Sequence, residues 1–411
     1  MKNLLQKEWR LILFGFVMTF WSAPGQTFFI ALFSGELRRE LGLGHGDFGL
    51  LYSLATLLSA VVIIWSGALI DRVDLRRFSL TIIVGLALGC AAFSISHSTL
   101  ALVISLFLLR HFGQGLMFLS ASTTVVRYLQ ADHGKANAIS SMGYSLSEAV
   151  MPKLLVITIA LVGWRLTWQA AATVLLFVVA PATIYLMKNH HQRHRRFLDE
   201  LYEQTSVPSP ATRRQWQRSQ VLRDPRFYLF LPSLMAQTIL FTGFIFHQVH
   251  LVDSKGWELS DWTAYFALYA GVAITMKFAS GYLVDRFSAT GLLPLHTLPL
   301  GIAMFLLAGS DEAWVAPVFL MLLALTSGMQ ATLTTPFLAE QYGNRHLGAI
   351  KSMLSAVSVF MSALSPFAMG WMIDHGITLS QQARVAAVYT LIAIAMAGVG
   401  YLLSPRSSRP G

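Results

Sequence analysis

The sequence predicts an all-α polytopic membrane protein with 12 transmembrane helices in two pseudo-symmetric six-helix bundles, and three observations carry that prediction. Of the 411 residues, 55% are hydrophobic and only 12% are charged, against roughly a quarter charged in a soluble globular chain. The apolar residues gather into runs near the ~20 residues that a bilayer core requires, with a mean hydropathy of +0.57. Two short segments also recur along the chain at nearly one offset. This composition argues against a water-soluble enzyme.

The first run, from Leu11 to Phe33, follows Lys2, Lys7 and Arg10. It is too long for a signal-peptide core and is read as a retained helix. Further runs fall at about 48–70, 78–97, 100–126, 138–162 and 166–187. After a polar gap come six more, at about 227–250, 261–283, 291–309, 314–337, 348–372 and 383–403. They are continuous rather than alternating, which excludes the pattern of a membrane β-barrel. The chain therefore divides into an N-terminal bundle over 1–187, a cytoplasmic linker over 188–226 and a C-terminal bundle over 227–411.

A net charge of +10 would suggest nucleic acid in a soluble protein. Here its distribution gives another cause. With the N-terminus in the cytoplasm, only Arg38, Arg39, Arg165, Lys255 and Arg384 fall in outer loops, and Arg110, Lys153 and Lys277 fall within spans. All other Lys and Arg residues face the cytoplasm, which is the positive-inside pattern, so no nucleic-acid partner is implied. The linker holds His190, His191 and His194 in an HHQRH run, read as a solvated basic face rather than a metal site. The single cysteine, Cys90, has no intramolecular partner. No Walker loop or H-E-x-x-H motif is present, and Gly42–Gly49 is read as a loop with Asp47 capping the second span. No cofactor is implied.

The repeat supports the division into halves. Gly67-Ala-Leu-Ile-Asp71-Arg72 after span 2 recurs as Gly281-Tyr-Leu-Val-Asp285-Arg286 after span 8, and Ala138-Ile-Ser-Ser-Met142 recurs as Ala349-Ile-Lys-Ser-Met353. These residues, with Arg76 and Arg77 completing the first loop, resemble the major facilitator superfamily of secondary transporters over essentially the whole chain. Asp74 and Leu75 depart from the family's loop pattern. The resemblance implies the family fold and a conformational switch at Gly67, Asp71, Arg72 and Arg76 and at Gly281, Asp285 and Arg286. Independently of it, a carboxylate at this turn caps a helix or pairs with arginine, while a positive-inside turn with local ion pairs is the plainer reading.

Charges inside the spans carry the candidate site, because an intramembrane ion is costly without a partner or a watery cavity. Arg110-His-Phe-Gly113-Gln-Gly115 in span 4 resembles the family's arginine–glycine element. At 1.5 Å per residue, Arg110 and Glu148 each lie about 15 Å from their own ends of spans 4 and 5, which is the middle of a core ~30 Å thick. They form a candidate pair, either coupling protons and binding substrate or pinning two helices together. Lys153, beyond Pro152, and Lys277 are further candidates, and three cations against one anion favour an anionic substrate. Weaker candidates are Gln26, Tyr52, Tyr144, His247, Gln248, Tyr265 and Tyr269.

The expected function is proton-coupled uptake of a small organic anion by alternating access, in a bacterial inner membrane with both termini cytoplasmic. Proton-driven efflux of amphipathic compounds is one alternative. Span 5 speaks against it, since Ser147 and Glu148 stand where drug antiporters of the family carry glycine and proline. A ligand sensor with a transporter fold is the other.

Overall fold

The computed structural model describes residues 2–71, 73–128, 133–188, 216–343 and 345–404, and every regular element among them is helical. The HHQRH run and most of the linker lie outside the described residues. The chain gathers into two compact units, residues 1–43 with 50–209, and residues 44–49 with 210–411.

The first unit begins with α1 (Lys2–Trp21), which is interrupted after Trp21 and resumes through short turns into α2 (Ser34–Leu41). The two sides of this break are inclined by 43°. Next come α3 (His45–Ser66), whose residues up to Gly49 group with the second unit, α4 (Leu75–Ser94) and α5 (Thr99–Leu108). A π-helical segment, Leu109–Met117, leads from α5 into α6 (Phe118–Tyr128). The run α7 (His133–Val174) continues through a second π segment into α8 (Ala180–Leu186).

Straight through, residues 136–186 would make a helix of 51 residues, about 75 Å long and more than twice the bilayer core. Gly163 divides it with φ 80° and ψ 163°, a left-handed conformation open chiefly to glycine. The predicted fifth and sixth spans lie on either side of this break. With the broken first span and the short apolar helix of the second unit, the described helices are consistent with twelve crossings.

The second unit contains α9 (Pro225–Phe246), α10 (Gln248–Lys255), α11 (Leu259–Phe287), α12 (Leu298–Gly309), α13 (Val315–Tyr342), α14 (Leu347–Asp374) and α15 (Leu379–Leu403). Its helix ends follow from the sequence. Asp224 accepts from Arg226 N at 3.1 Å, with Pro225 at the first helical position, where a missing N–H costs nothing. Thr378 and Gln381 form a reciprocal capping box on α15.

Each unit has its own aromatic core. In the first, the Trp168 ring lies 4.4 Å from Phe93, 4.9 Å from Phe33 and 5.1 Å from Phe29. In the second, Phe227, Phe230, Leu333, Phe337, Tyr342 and Ile350 are buried together. Outward, large apolar side chains stand exposed, including Leu161 at 76%, Phe177 at 75% and Phe305 at 71%. Such faces are unfavourable in water and suited to lipid, so the chain is an integral membrane protein.

Two cations assigned to outer loops by sequence do structural work. Arg165 donates to Ser94 O, Ser96 O and Glu40 Oε1, with its guanidinium over the Trp164 ring. Lys255, only 7% exposed, donates to Leu307 O at 2.7 Å, Ser310 O at 2.9 Å and Asp311 Oδ1. It thereby satisfies carbonyls at the C-terminus of α12, where a cation also favours the helix dipole.

Candidate functional site

The candidate site of the first unit is assembled where span 1 breaks. Pro24 and Gly25 lie in the interruption, and Gln26 is extended at φ −90° and ψ 151°. A broken helix leaves carbonyls without their usual i+4 donors, and inside a bilayer core those need partners. Arg110 supplies one. Its Nη1 donates to Gly25 O at 2.9 Å and its Nε to Thr56 Oγ1 at 3.1 Å, while the guanidinium lies 4.9 Å from the centre of the Tyr52 ring. These bonds use two of five N–H donors in the guanidinium fork.

Close approach of the two irregular segments makes this reach possible. A Cβ on Gly25 would stand 2.3 Å from Leu109 O and 2.7 Å from Gly113 Cα. The backbone of the broken span therefore rests directly on the π-helical segment that carries Arg110. Gly113, predicted as part of the arginine–glycine element, faces Gly25 from the other side. A π-bulge widens a helix locally and is common at functional sites.

Around the arginine lie polar and aromatic groups from four spans. Tyr52 OH and Thr27 Oγ1 share a hydrogen bond of 2.7 Å, and Gln26 Nε2 donates to Ser22 Oγ at 3.3 Å. Tyr144 on α7 meets Phe28 and Phe118 edge-on, with ring centres 6.3 and 5.9 Å apart. Glu148 follows one turn later on the same helix and is buried at 5% exposure, as Arg110 is at 2%. Lys153, beyond the buried Pro152, is half-buried. Thus Gln26, Tyr52, Arg110, Tyr144 and Glu148 all occur in the first unit, the first three joined through the broken span.

In the second unit, Tyr269 on α11 is buried and donates to Ser327 Oγ on α13 at 2.9 Å, while Lys277 is half-buried two turns further along α11. Gln248 accepts from Trp262 Nε1 at 2.9 Å and His247 Nε2 lies 2.9 Å from Pro366 O, both buried. Those bonds are helix-to-helix ties. Tyr265 is half-buried near the start of α11.

At the switch loops, Gly67 begins a short 3-10 turn that ends at Asp71, and Arg76 is exposed. Arg72 and the side chain of Asp71 lie outside the described residues. The helix cap here is Asp74, which departs from the family pattern; it accepts from Arg77 N at 3.2 Å. In the second copy Gly281 lies within α11, Asp285 and Arg286 are exposed, and Arg286 lies over the Phe287 ring. The carboxylate that caps the following turn is Glu340, which accepts from Ala289 N and Thr290 N, each at 2.9 Å.

Asp47 accepts from Gly44 N at 3.0 Å, the predicted capping interaction. Sequence reasoning missed the second carboxylate at this helix start, Asp374, which accepts from His45 N and Gly46 N at 2.9 and 2.7 Å. A contact between residues this far apart in sequence leaves no local signal. Among the described residues no cluster of three His, Cys, Asp or Glu side chains is placed to hold a metal ion.

Comparison with known proteins agrees with the architecture. The sequence profile of the Major Facilitator Superfamily matches residues 12–366. No curated protein matches the sequence. Among solved structures, a bacterial homologue of the human lysosomal transporter Spinster, in an inward-facing and occupied conformation, aligns with a TM-score of 0.66 at 14% identity, covering 97% of each chain. The nucleoside transporter NupG aligns with a TM-score of 0.70 at 11% identity, covering 96% of this chain and all of the other. At these identities the likeness is one of fold.

Proposed function

Because the chain belongs to the major facilitator superfamily, we propose that it is a secondary transporter taking up a small organic anion together with protons, by alternating access between its two six-helix halves. The observation that supports this reading is the buried Arg110, anchored on the broken first span with donors to spare, in the same unit as the buried carboxyl of Glu148. Discontinuous spans near the membrane middle are where transporters bind substrate and coupling ions.

An incoming carboxylate would compete for the remaining Arg110 donors, since planar bidentate recognition of a carboxylate is what a guanidinium does best. Glu148 would be the group that takes up the accompanying proton. The loops at Asp71 and Asp285 would switch with the opening and closing of the halves. The termini would face the cytoplasm and the membrane would be a bacterial inner membrane, on the distribution of Lys and Arg.

A thermal-shift screen of the detergent-purified protein tests the reading. Small carboxylates are compared with sugars, amino acids and lipophilic cations, on the wild type and on Arg110→Ala. A ligand at 100 times its Kd adds about 2.7 kcal/mol of stability. Stabilisation by an anion, lost in Arg110→Ala, is expected. Stabilisation by lipophilic cations alone, unchanged in the variant, would replace uptake with efflux, and saturable binding without flux in vesicles would identify a sensor.

A further inference from the structure

Among the described residues, the second unit contains three buried amide oxygens without a hydrogen-bond donor, Gln237 Oε1, Gln330 Oε1 and Gln382 Oε1, and the first two stand on facing helices. Gln237 on α9 is 6% exposed, and its Nε2 donates to Ser327 Oγ on α13, the same hydroxyl to which Tyr269 donates. Three residues further along α13, Gln330 reaches back and donates from Nε2 to Leu234 O at 2.8 Å, three residues before Gln237 on α9. The two carboxamides thus form consecutive crosswise rungs between facing helices, about one helical turn, or ~5 Å, apart. Among the described residues, Gln237 Oε1 and Gln330 Oε1 are both buried with no hydrogen-bond partner.

The carboxamide of Gln330 has a definite orientation. Leu234 O can only accept, so the amide of Gln330 is held with its NH2 towards α9 and its oxygen turned away. One N–H of each carboxamide is bonded internally, and both side-chain oxygens are left without a donor. Leaving a buried acceptor unmade costs about 1–3 kcal/mol, and buried polar groups are rarely left so. Structural need does not explain the pair. Leu234 O lies inside the unbroken α9 and has a main-chain donor already, so an apolar side chain at 330 would hold the helices together at lower cost.

We propose that Gln237 and Gln330 form a hydrogen-bond acceptor subsite for the transported solute, recognising hydroxyl or amino groups that donate to their two side-chain oxygens. The subsite deepens the transport reading and rests on it. It takes an O–H or N–H donor, whatever charge the rest of the solute carries. Tyr269, predicted from sequence as a weak candidate, belongs to this subsite as a positioning residue, because it acts on Gln237 through Ser327. The substrate class is accordingly a hydroxylated or amino-bearing solute rather than a plain fatty or alkyl acid.

The test uses the purified full-length protein and the Gln237→Met/Gln330→Met variant, in thermal-shift titrations. Gluconate, serine and uridine carry donors, whereas propionate and hexanoate carry a carboxylate without them. At least one donor-bearing probe is expected to stabilise the wild type, and about tenfold or more of it to be needed for the same shift in the variant, as two lost hydrogen bonds imply. The ligand-free variant is expected to melt no lower than the wild type, since it loses two buried orphan acceptors. Gln330→Met alone, which loses only a bond to an already satisfied carbonyl, serves the same test if the double variant does not fold.

The proposal is overturned by a ligand-free variant that melts several degrees lower, by donor-bearing probes that bind wild type and variant equally, or by the absence of any shift with the donor-bearing probes. The two readings also separate. A uridine shift that depends on the glutamines, with no shift from any carboxylate, would keep the subsite and sink the anion reading. A hexanoate shift that depends on Arg110 and ignores the glutamines would do the reverse.

Discussion

The two units are built from a repeated sequence, yet their buried polar chemistry differs in kind. In the first, a helix breaks at Pro24 and Gly25, a π segment lies against the break, and charge fills the space as Arg110 and Glu148. In the second, α11, α13 and α14 run unbroken for 28 or 29 residues, Gln237, Gln248 and Thr326 are buried neutral groups, and the buried cation, Lys255, caps the end of α12. The repeat offsets pair Glu148 with Val359 and Arg110 with Ala324 or Met321. Irregular backbone goes with charge because freed carbonyls and buried cations satisfy one another.

The largest effect expected from breaking this contrast follows from closing the gap between the two irregular segments. Gly25→Val places side-chain atoms where Leu109 O already stands 2.3 Å from the ideal Cβ position. The neighbour is backbone and cannot step aside, so a loss at or above the usual overpacking cost of about 1–3 kcal/mol is expected, read as a lower melting temperature and loss of uptake. The same change at Gly271, where a Cβ meets nothing within 4 Å, should leave both nearly unchanged.

Next comes the charge itself. Arg110→Lys keeps a cation but cannot span Gly25 O and Thr56 Oγ1 with a planar fork. Uptake is expected to fall at least tenfold, with a stability loss of about 1–3 kcal/mol from the stranded carbonyl. Rescue of full uptake by lysine would show that charge alone matters and that the bonded geometry does not.

In the second unit the matching test concerns a structural cation. Lys255→Met strands Leu307 O and Ser310 O, for about 1–3 kcal/mol, but should leave the affinity for substrate unchanged. A change in affinity would give Lys255 a role in binding. The smallest stability effect is expected at Asp285→Asn, since exposed substitutions usually fall within about 0.5 kcal/mol. If the loop is a switch, the uptake rate should fall while melting stays constant.

Hydropathy made the spans legible because each run must be long and apolar to cross a bilayer, and Lys and Arg marked their ends. The duplicated Ala-Ile-x-Ser-Met segments are the sequence's signal of two halves. Burial of Arg110 and Glu148 followed from their positions within spans. The break in span 1 was less visible, although Pro24-Gly25 inside an apolar run was its signal. Nothing local foretold that Lys255 would be buried, because its partners lie more than fifty residues away. The glutamine pair was equally hidden, since a lone polar residue in a span does not reveal which helix it faces or whether its oxygen finds a donor.

The central claim is that a buried cation and a buried carboxyl couple an anion to protons, and the most direct measurement is proton movement in proteoliposomes. The stabilising anion is added outside vesicles loaded with a pH-sensitive dye, for wild type and Glu148→Gln. Anion-dependent acidification of the lumen is predicted for the wild type, lost in Glu148→Gln while exchange of labelled anion persists. Equal anion uptake by both proteins, with no change in luminal pH, would contradict the account.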